Sequence, residues 1–395
     1  MARGRLDVRL GCLRRPVPIM RQAASVKAGR ANLRARNPPM MLVAALLPFV
    51  GSCAVTLPGE AIPLPATTLG IVGAPAPVDA RARFRALFCA VLSHSEPGVP
   101  DARCNELLWR LPGESPPLAT PPEPISLDPH MRLLIVGGAF SDCFRPSSTP
   151  FAESASRLQD IGLVVEYAAI SGRSSSEFNA RIIAEQIAAM PVAAGGPLVV
   201  IAHSKGTVDV LEAVTRYPDA ARRISAVISV AGAVNGSPLA DRYRGAYDYL
   251  LRERALGRCS PGDGGFLDSL VRSTRLRWLA SNTLPANVRF YSLATFTTPA
   301  RLARALERPQ RLLSTIDARN DGQLLAQDQV IPGSTVLGYL NADHWAVAVR
   351  MEDEFPALAH RPVGAHPVPQ GPMLEAILLL VQQDLAAAGA PQAGH

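Results

Sequence analysis

Apolar residues along this chain gather in short runs, and amphipathic stretches separate them. Leu133 to Val136 is an apolar run ending at Gly137-Gly138, and Leu163 to Ala168 is a second. Phe178 to Met190 repeats its apolar positions at the helical period. Leu198 to Ala202 is apolar throughout, as a strand covered on both faces should be. A helical pattern through Val208, Leu211 and Val214 follows, then strand-like runs from Ile224 to Val230 and from Val288 to Leu293. This alternation predicts an α/β fold, with a mostly parallel sheet and helices on both faces. The stretch from about 234 to 286 is too long for a plain connection. Helical patterns around Tyr249-Leu250-Leu251 and Trp278-Leu279 predict an inserted helical cap there. Met373 to Ala388 predicts a closing helix.

Upstream of the sheet, Phe84, Leu87, Phe88, Val91 and Leu92 mark a helix over 79–94. After a turn at Glu96-Pro97-Gly98, a second short helix is expected through Leu107, Leu108 and Trp109. The pair reads as a helical hairpin packed on the main domain, followed by a Pro-rich linker that ends near 130. Residues 54–78 have no period and read as a tether. Met40 to Val50 is an apolar run too short to span a bilayer, which takes about 20 residues. It follows Arg30, Arg34 and Arg36 and leads into Gly51-Ser52-Cys53, the layout of a secretory signal. The Cys directly after two small residues resembles the bacterial lipoprotein signal. That resemblance implies acylation (palmitate among the lipids) at Cys53, and Ala54 implies export to the outer membrane, facing the periplasm or the surface. The expected organisation is a leader over 1–52, a lipidated tether over 53–78, hairpin and linker over 79–130, and the main α/β domain over 131–395. Residues before Met20 are long for a signal, so Met20 is an alternative start; Met40 or Met41 would discard the basic residues.

Composition changes this picture in two ways. With 48% hydrophobic residues in 395, a large core can be buried, which excludes a mostly disordered chain. The net charge of +7 is uneven: ten of the 40 basic and one of the 33 acidic residues lie in 1–39, leaving 30 against 32 for the rest. The body has no basic field to draw nucleic acid. Cys12 lies in the leader and Cys53 is assigned to lipid, so Cys89, Cys104, Cys143 and Cys259 remain. An even number in an exported chain predicts two disulfides, and four cysteines admit three pairings. Cys89 and Cys104 are close in sequence on neighbouring helices, which favours that pair and leaves Cys143 with Cys259.

The chemistry centres on Ala202-His203-Ser204-Lys205-Gly206, where a strand turns straight into a helix. Small residues two before and two after a serine let strand and helix backbones meet in a strained turn, the nucleophile elbow. A serine alcohol needs a base. Of seven histidines, His94 and His130 precede the sheet, and His360, His366 and His395 lie in a Pro-rich tail. His203 should point away from Ser204. His344, in Asn341-Ala342-Asp343-His344-Trp345 before a helical stretch over 346–349, is left as the base. The acid that orients it is read as Asp321 in Asn320-Asp321-Gly322, with Asp328 and Asp317 as alternatives and Asp343 more suited to fixing its own loop. Backbone N–H donors for an oxyanion are expected from Lys205 and from Ala139 or Phe140. The Lys205 ammonium is expected to be solvated.

These residues, with Gly137-Gly138-Ala139-Phe140, Gly236-Ser237-Pro238-Leu239-Ala240-Asp241 and the two Asp-containing loops, resemble the α/β-hydrolase superfamily over about 131–350; the last features are similar to bacterial lipases. The departure is Ala202 where many members carry Gly. The expected activity is cleavage of carboxylic esters by a Ser-His-Asp triad through an acyl-enzyme, in a lipid-anchored monomer. The alternatives are a thioesterase, polyester depolymerase or acyltransferase with the same triad, and a silent envelope-binding lipoprotein. No Cys/His cluster has zinc spacing and no Gly-rich phosphate loop occurs, so neither metal nor cofactor is expected.

Overall fold

The computed structural model describes residues 76–95, 101–116, 126–143, 149–191, 196–250, 259, 261–350 and 368–389. The expected leader, Cys53 with its expected lipid, the expected tether up to residue 75, the expected turn at 96–98, linker residues 117–125, residues 251–258 and 260 of the expected cap, and the tail over 351–367 and 390–395 lie outside them.

Seven parallel strands form one sheet: β1 (Val78–Asp79), β2 (Arg132–Val136), β3 (Val164–Tyr167), β4 (Leu198–His203), β5 (Ala226–Val230), β6 (Arg289–Thr295) and β7 (Thr335–Leu340). Their spatial order is β1-β7-β6-β5-β4-β2-β3. Every residue of β4 and β5 is buried, as central parallel strands require.

Side chains alternate between the two faces. Leu133, Ile135, Val199, Ile201 and Ile228 pack with helices α1 (Arg81–Ser95), α3 (Ala152–Asp160) and α10 (Gln370–Gly389). Leu134, Val136, Val200 and Val227 pack with α4 (Ser176–Ala189), α5 (Lys205–Arg216) and α6 (Pro218–Ala221). Between β5 and β6 the chain forms α7 (Pro238–Leu250) and α8 (Arg272–Ser281), in the stretch expected to be a cap. A short α9 (Glu307–Leu313) lies between β6 and β7.

Some boundaries differ from the sequence reading. Val78, expected in the tether, and Asp79, expected to open the first helix, instead pair with Thr335 and Val336 and extend the sheet by one edge strand. The second hairpin helix, α2 (Asp101–Leu107), stops before Leu108. There the chain leaves the helix to bridge Leu340, and Trp109 N–H donates to the Tyr339 carbonyl. The Arg85 guanidinium takes up the Leu108 and Trp109 carbonyls, so sheet and ion outcompete the helical pattern. Residues 344–348 form turns, in place of the helical stretch expected over 346–349. Both disulfides pair as expected, Cys89 with Cys104 and Cys143 with Cys259.

Candidate active site

β4 runs into α5 with Ser204 alone at the corner, at φ 57° and ψ −126°. That conformation is costly for a residue with a Cβ, and such strain persists where the surroundings enforce it. The enforcement is visible at Gly206, where an added Cβ would lie 2.3 Å from the Gly137 carbonyl oxygen and 2.7 Å from that of Val136. Only glycine lets α5 approach β2 this closely, and the approach lifts the Ser204 hydroxyl off the end of the sheet.

His344 follows β7 on a loop that α2 braces. Asn341 N–H donates to the Leu107 carbonyl (2.7 Å), and its Nδ2 donates to the Glu106 carbonyl (2.9 Å). The imidazole then meets both partners: Nε2 lies 2.8 Å from Ser204 Oγ, and Nδ1 lies 2.8 Å from Asp321 Oδ2. With Nδ1–H donating to the carboxylate, the Nε2 lone pair is left for the Ser204 hydroxyl. His344 N–H also donates to the Asp321 carbonyl (3.0 Å), tying the two loops together. Asp321 Oδ1 accepts the N–H groups of Gln323 (2.8 Å) and Leu324 (2.7 Å), an Asx-type turn closed by Gly322 at φ 90°.

The other aspartates are engaged elsewhere. Asp317 pairs with Arg319 (2.7 Å), and Asp328 pairs with Arg272 (2.9 Å). Asp343 turns its carboxylate to the N–H groups of Ala303, Trp345 and Ala346, and so fixes its own loop.

Gly138 brings the loop after β2 against the nucleophile; a Cβ there would sit 2.8 Å from Ser204 Cβ. The Phe140 N–H does not face the site as expected: it donates to the Gly172 carbonyl (3.1 Å), with Phe140 in a left-handed conformation (φ 62°). Of the two residues expected to donate from that loop, Ala139 remains the candidate. Lys205 N–H, in the first turn of α5, has no intrahelical acceptor. The Lys205 side chain contradicts the expectation of a solvated ammonium. It is fully buried, and its Nζ lies 2.6 Å from Asp209 Oδ1, one helical turn on. Asp209 Oδ2 accepts Asn179 Nδ2 (2.7 Å), and the same Asn179 amide brackets the backbone of Ser171.

No protein-family model and no curated protein matches the chain. Among solved structures it is similar to the metagenomic carboxyl esterase MGS0156, with 37% identity and a TM-score of 0.71 over 81% of this chain and 97% of that one. The chain belongs to the α/β-hydrolase esterase family. Two more distant likenesses are a Staphylococcus hyicus lipase (12% identity, TM-score 0.48, 68% of this chain and 99% of that one) and a mature Bacillus licheniformis lipase (19%, 0.44, 56% and 87%).

Within this α/β-hydrolase, several residues around the site carried no sequence motif. Thr295, the last residue of β6, donates its hydroxyl to Asp321 Oδ2 (2.8 Å), and Gln329 reaches the same oxygen with Nε2 (3.3 Å). Their only sequence signal is polarity at or beyond the carboxyl end of a strand, where such sites form. His203 points away from Ser204, as expected. Its Nε2–H donates to the His344 carbonyl (2.9 Å), and its ring lies 5.0 Å from that of His344. Burial, reinforced by the neighbouring His344, pushes its pKa down to about 3, so it is neutral near pH 7. Above the site, Phe140 packs edge-on to Phe266, which packs on Tyr247, so the oxyanion loop touches the inserted segment. The Cys143–Cys259 disulfide makes the same connection covalently. Asp142 lies beside those two sulfurs. A disulfide carries no thiolate for a metal ion, and Asp142 Oδ1 accepts the Gly172 N–H (2.9 Å).

Proposed function

We propose that this chain is an exported, lipid-anchored serine hydrolase of carboxylic esters, working through an acyl-enzyme. The observation that carries the proposal is the relay of two 2.8 Å contacts from Ser204 through His344 to Asp321, assembled from three separate loops. His344 Nε2 takes the hydroxyl proton as Ser204 Oγ attacks the ester carbonyl, and Asp321 holds the imidazolium without taking the proton. The oxyanion is received by the N–H groups of Ala139 and Lys205 at the start of α5, where the helix dipole also favours negative charge. His344 returns its proton to the leaving alcohol; water, activated the same way, releases the acid.

Two disulfides and the Gly51-Ser52-Cys53 pattern support export to an oxidising compartment and acylation at Cys53. The inserted segment, with Phe266 and Tyr247 over the oxyanion loop, supports an apolar acyl site. Assay of the purified protein on esters of graded chain length tests the activity, with thioesters, polyesters and alcohol acceptors run alongside. Ester hydrolysis should dominate, and Ser204→Ala should lower it about 10⁶-fold. Activity that survives this substitution would refute the assignment.

A further inference from the structure

The Asp321 carboxylate carries more donors than holding His344 requires. Oδ1 takes two backbone N–H groups, and Oδ2 takes Thr295 Oγ and Gln329 Nε2 besides the imidazole. Asp321, Thr295 and Gln329 are each fully buried. The Gln329 amide does a second thing: Oε1 accepts the Thr295 N–H (2.7 Å), and Nε2 donates to the Thr295 carbonyl (2.8 Å). These two bonds mimic a neighbouring strand at the last residue of β6 and hold Thr295 with its Oγ 2.8 Å from Asp321 Oδ2, closer than the 3.1 Å to Gln329 Oε1.

Resting on the triad reading above, we infer that Thr295, clamped by Gln329, is a positioning residue that sets how strongly Asp321 holds the His344 proton. A hydroxyl donating to a carboxylate withdraws charge from it, which weakens its hold on the imidazolium. Imidazole that is held too tightly as imidazolium is unavailable as a base at moderate pH. The Thr295 hydroxyl therefore favours the free imidazole, the form that can accept the Ser204 proton. The other ionisable groups around the pair leave this role to Asp321. His203 is neutral and faces His344 through its carbonyl; Asp343 is turned to three N–H groups. Lys205 is paired with Asp209 and Arg272 with Asp328, while Glu106 of α2 is exposed and meets the loop through its carbonyl.

The pH profile of kcat/KM on a soluble ester tests this, with Thr295→Val, Thr295→Ser and Ser204→Ala compared in the full protein. Removing the hydroxyl should move the acid limb up by about 0.5–1 pH unit, and Thr295→Ser should restore it. An acid limb that stays in place in Thr295→Val, whatever happens to the plateau, would overturn the inference. If Thr295→Val does not fold, Thr295→Ala, which removes the hydroxyl in a smaller side chain and leaves Gln329 on Asp321, is read by the same limb and the same criterion. Activity persisting in Ser204→Ala would instead remove the triad reading beneath it.

Discussion

At the scale of single residues, the site separates aspartates that sequence alone leaves in competition. Asp321→Asn should cost about 10⁴-fold in kcat, because the amide presents the wrong group to Nδ1–H. Asp328→Asn should cost far less, since Asp328 faces Arg272. Parallel kinetics on the two variants check this; the reverse order would reassign the acid. His203 supplies a stability prediction. Its pKa is about 3 in the folded protein against 6.5 when unfolded, so between these values only the unfolded chain binds the proton. The His203 contribution to stability therefore falls as pH drops below about 6.5, by on the order of 5 kcal/mol at the acid limit. Urea melts at pH 7 and pH 5 should separate in this direction, and His203→Gln should narrow the gap. Ser204, His344 and Asp321, which the structure brings together, could be singled out because each sits in a recognisable local context: an elbow, a loop after the last strand, an Asn-Asp-Gly turn. Thr295, Gln329 and Asn179 were not legible, since a buried polar side chain acquires its partner only through tertiary contact. Lys205 was misread for the same reason; its partner Asp209 was one turn away, but nothing local indicates that this face of α5 is buried.

At the scale of elements, the loop after β2, the proposed oxyanion loop, is held by a neighbour rather than by its own sequence. The Gly172 carbonyl takes the Phe140 N–H, and the Gly172 N–H reaches Asp142. A Cβ at 172 would lie 2.5 Å from the Phe140 nitrogen and 2.8 Å from its Cα, contacts that only a backbone shift could relieve. Gly172→Ala should displace Ala139 and lower kcat about 10²-fold while changing KM little, the mark of a lost transition-state donor. Steady-state kinetics decide it; an unchanged kcat would mean that the loop does not depend on this contact. The sheet and its main helices could be read from hydrophobic period. The edge strand Val78–Asp79 could not, because two residues carry no period, and α2 ended early because Leu108 and Trp109 found the end of β7 instead. The same helix ties the hairpin to the candidate site: α2 braces Asn341, three residues before His344.

At the scale of the molecule, two disulfides span the parts on which the site depends. Cys89–Cys104 closes the hairpin that braces the His344 loop, and Cys143–Cys259 joins the oxyanion loop to the inserted segment across 116 residues of sequence. Replacing the second pair by alanines should lower stability by about 2–4 kcal/mol, read by chemical denaturation under oxidising conditions. Cys53→Ser should release the protein from membranes in cell fractionation while sparing its activity; continued membrane association would refute the anchor. The central claim is that Ser204, activated by His344, is the reacting nucleophile. Mass mapping of the folded protein after treatment with a fluorophosphonate tests it most directly. The account predicts one adduct, on Ser204, whose formation is strongly slowed in His344→Ala. An adduct on another residue, or none in the folded protein, would contradict it.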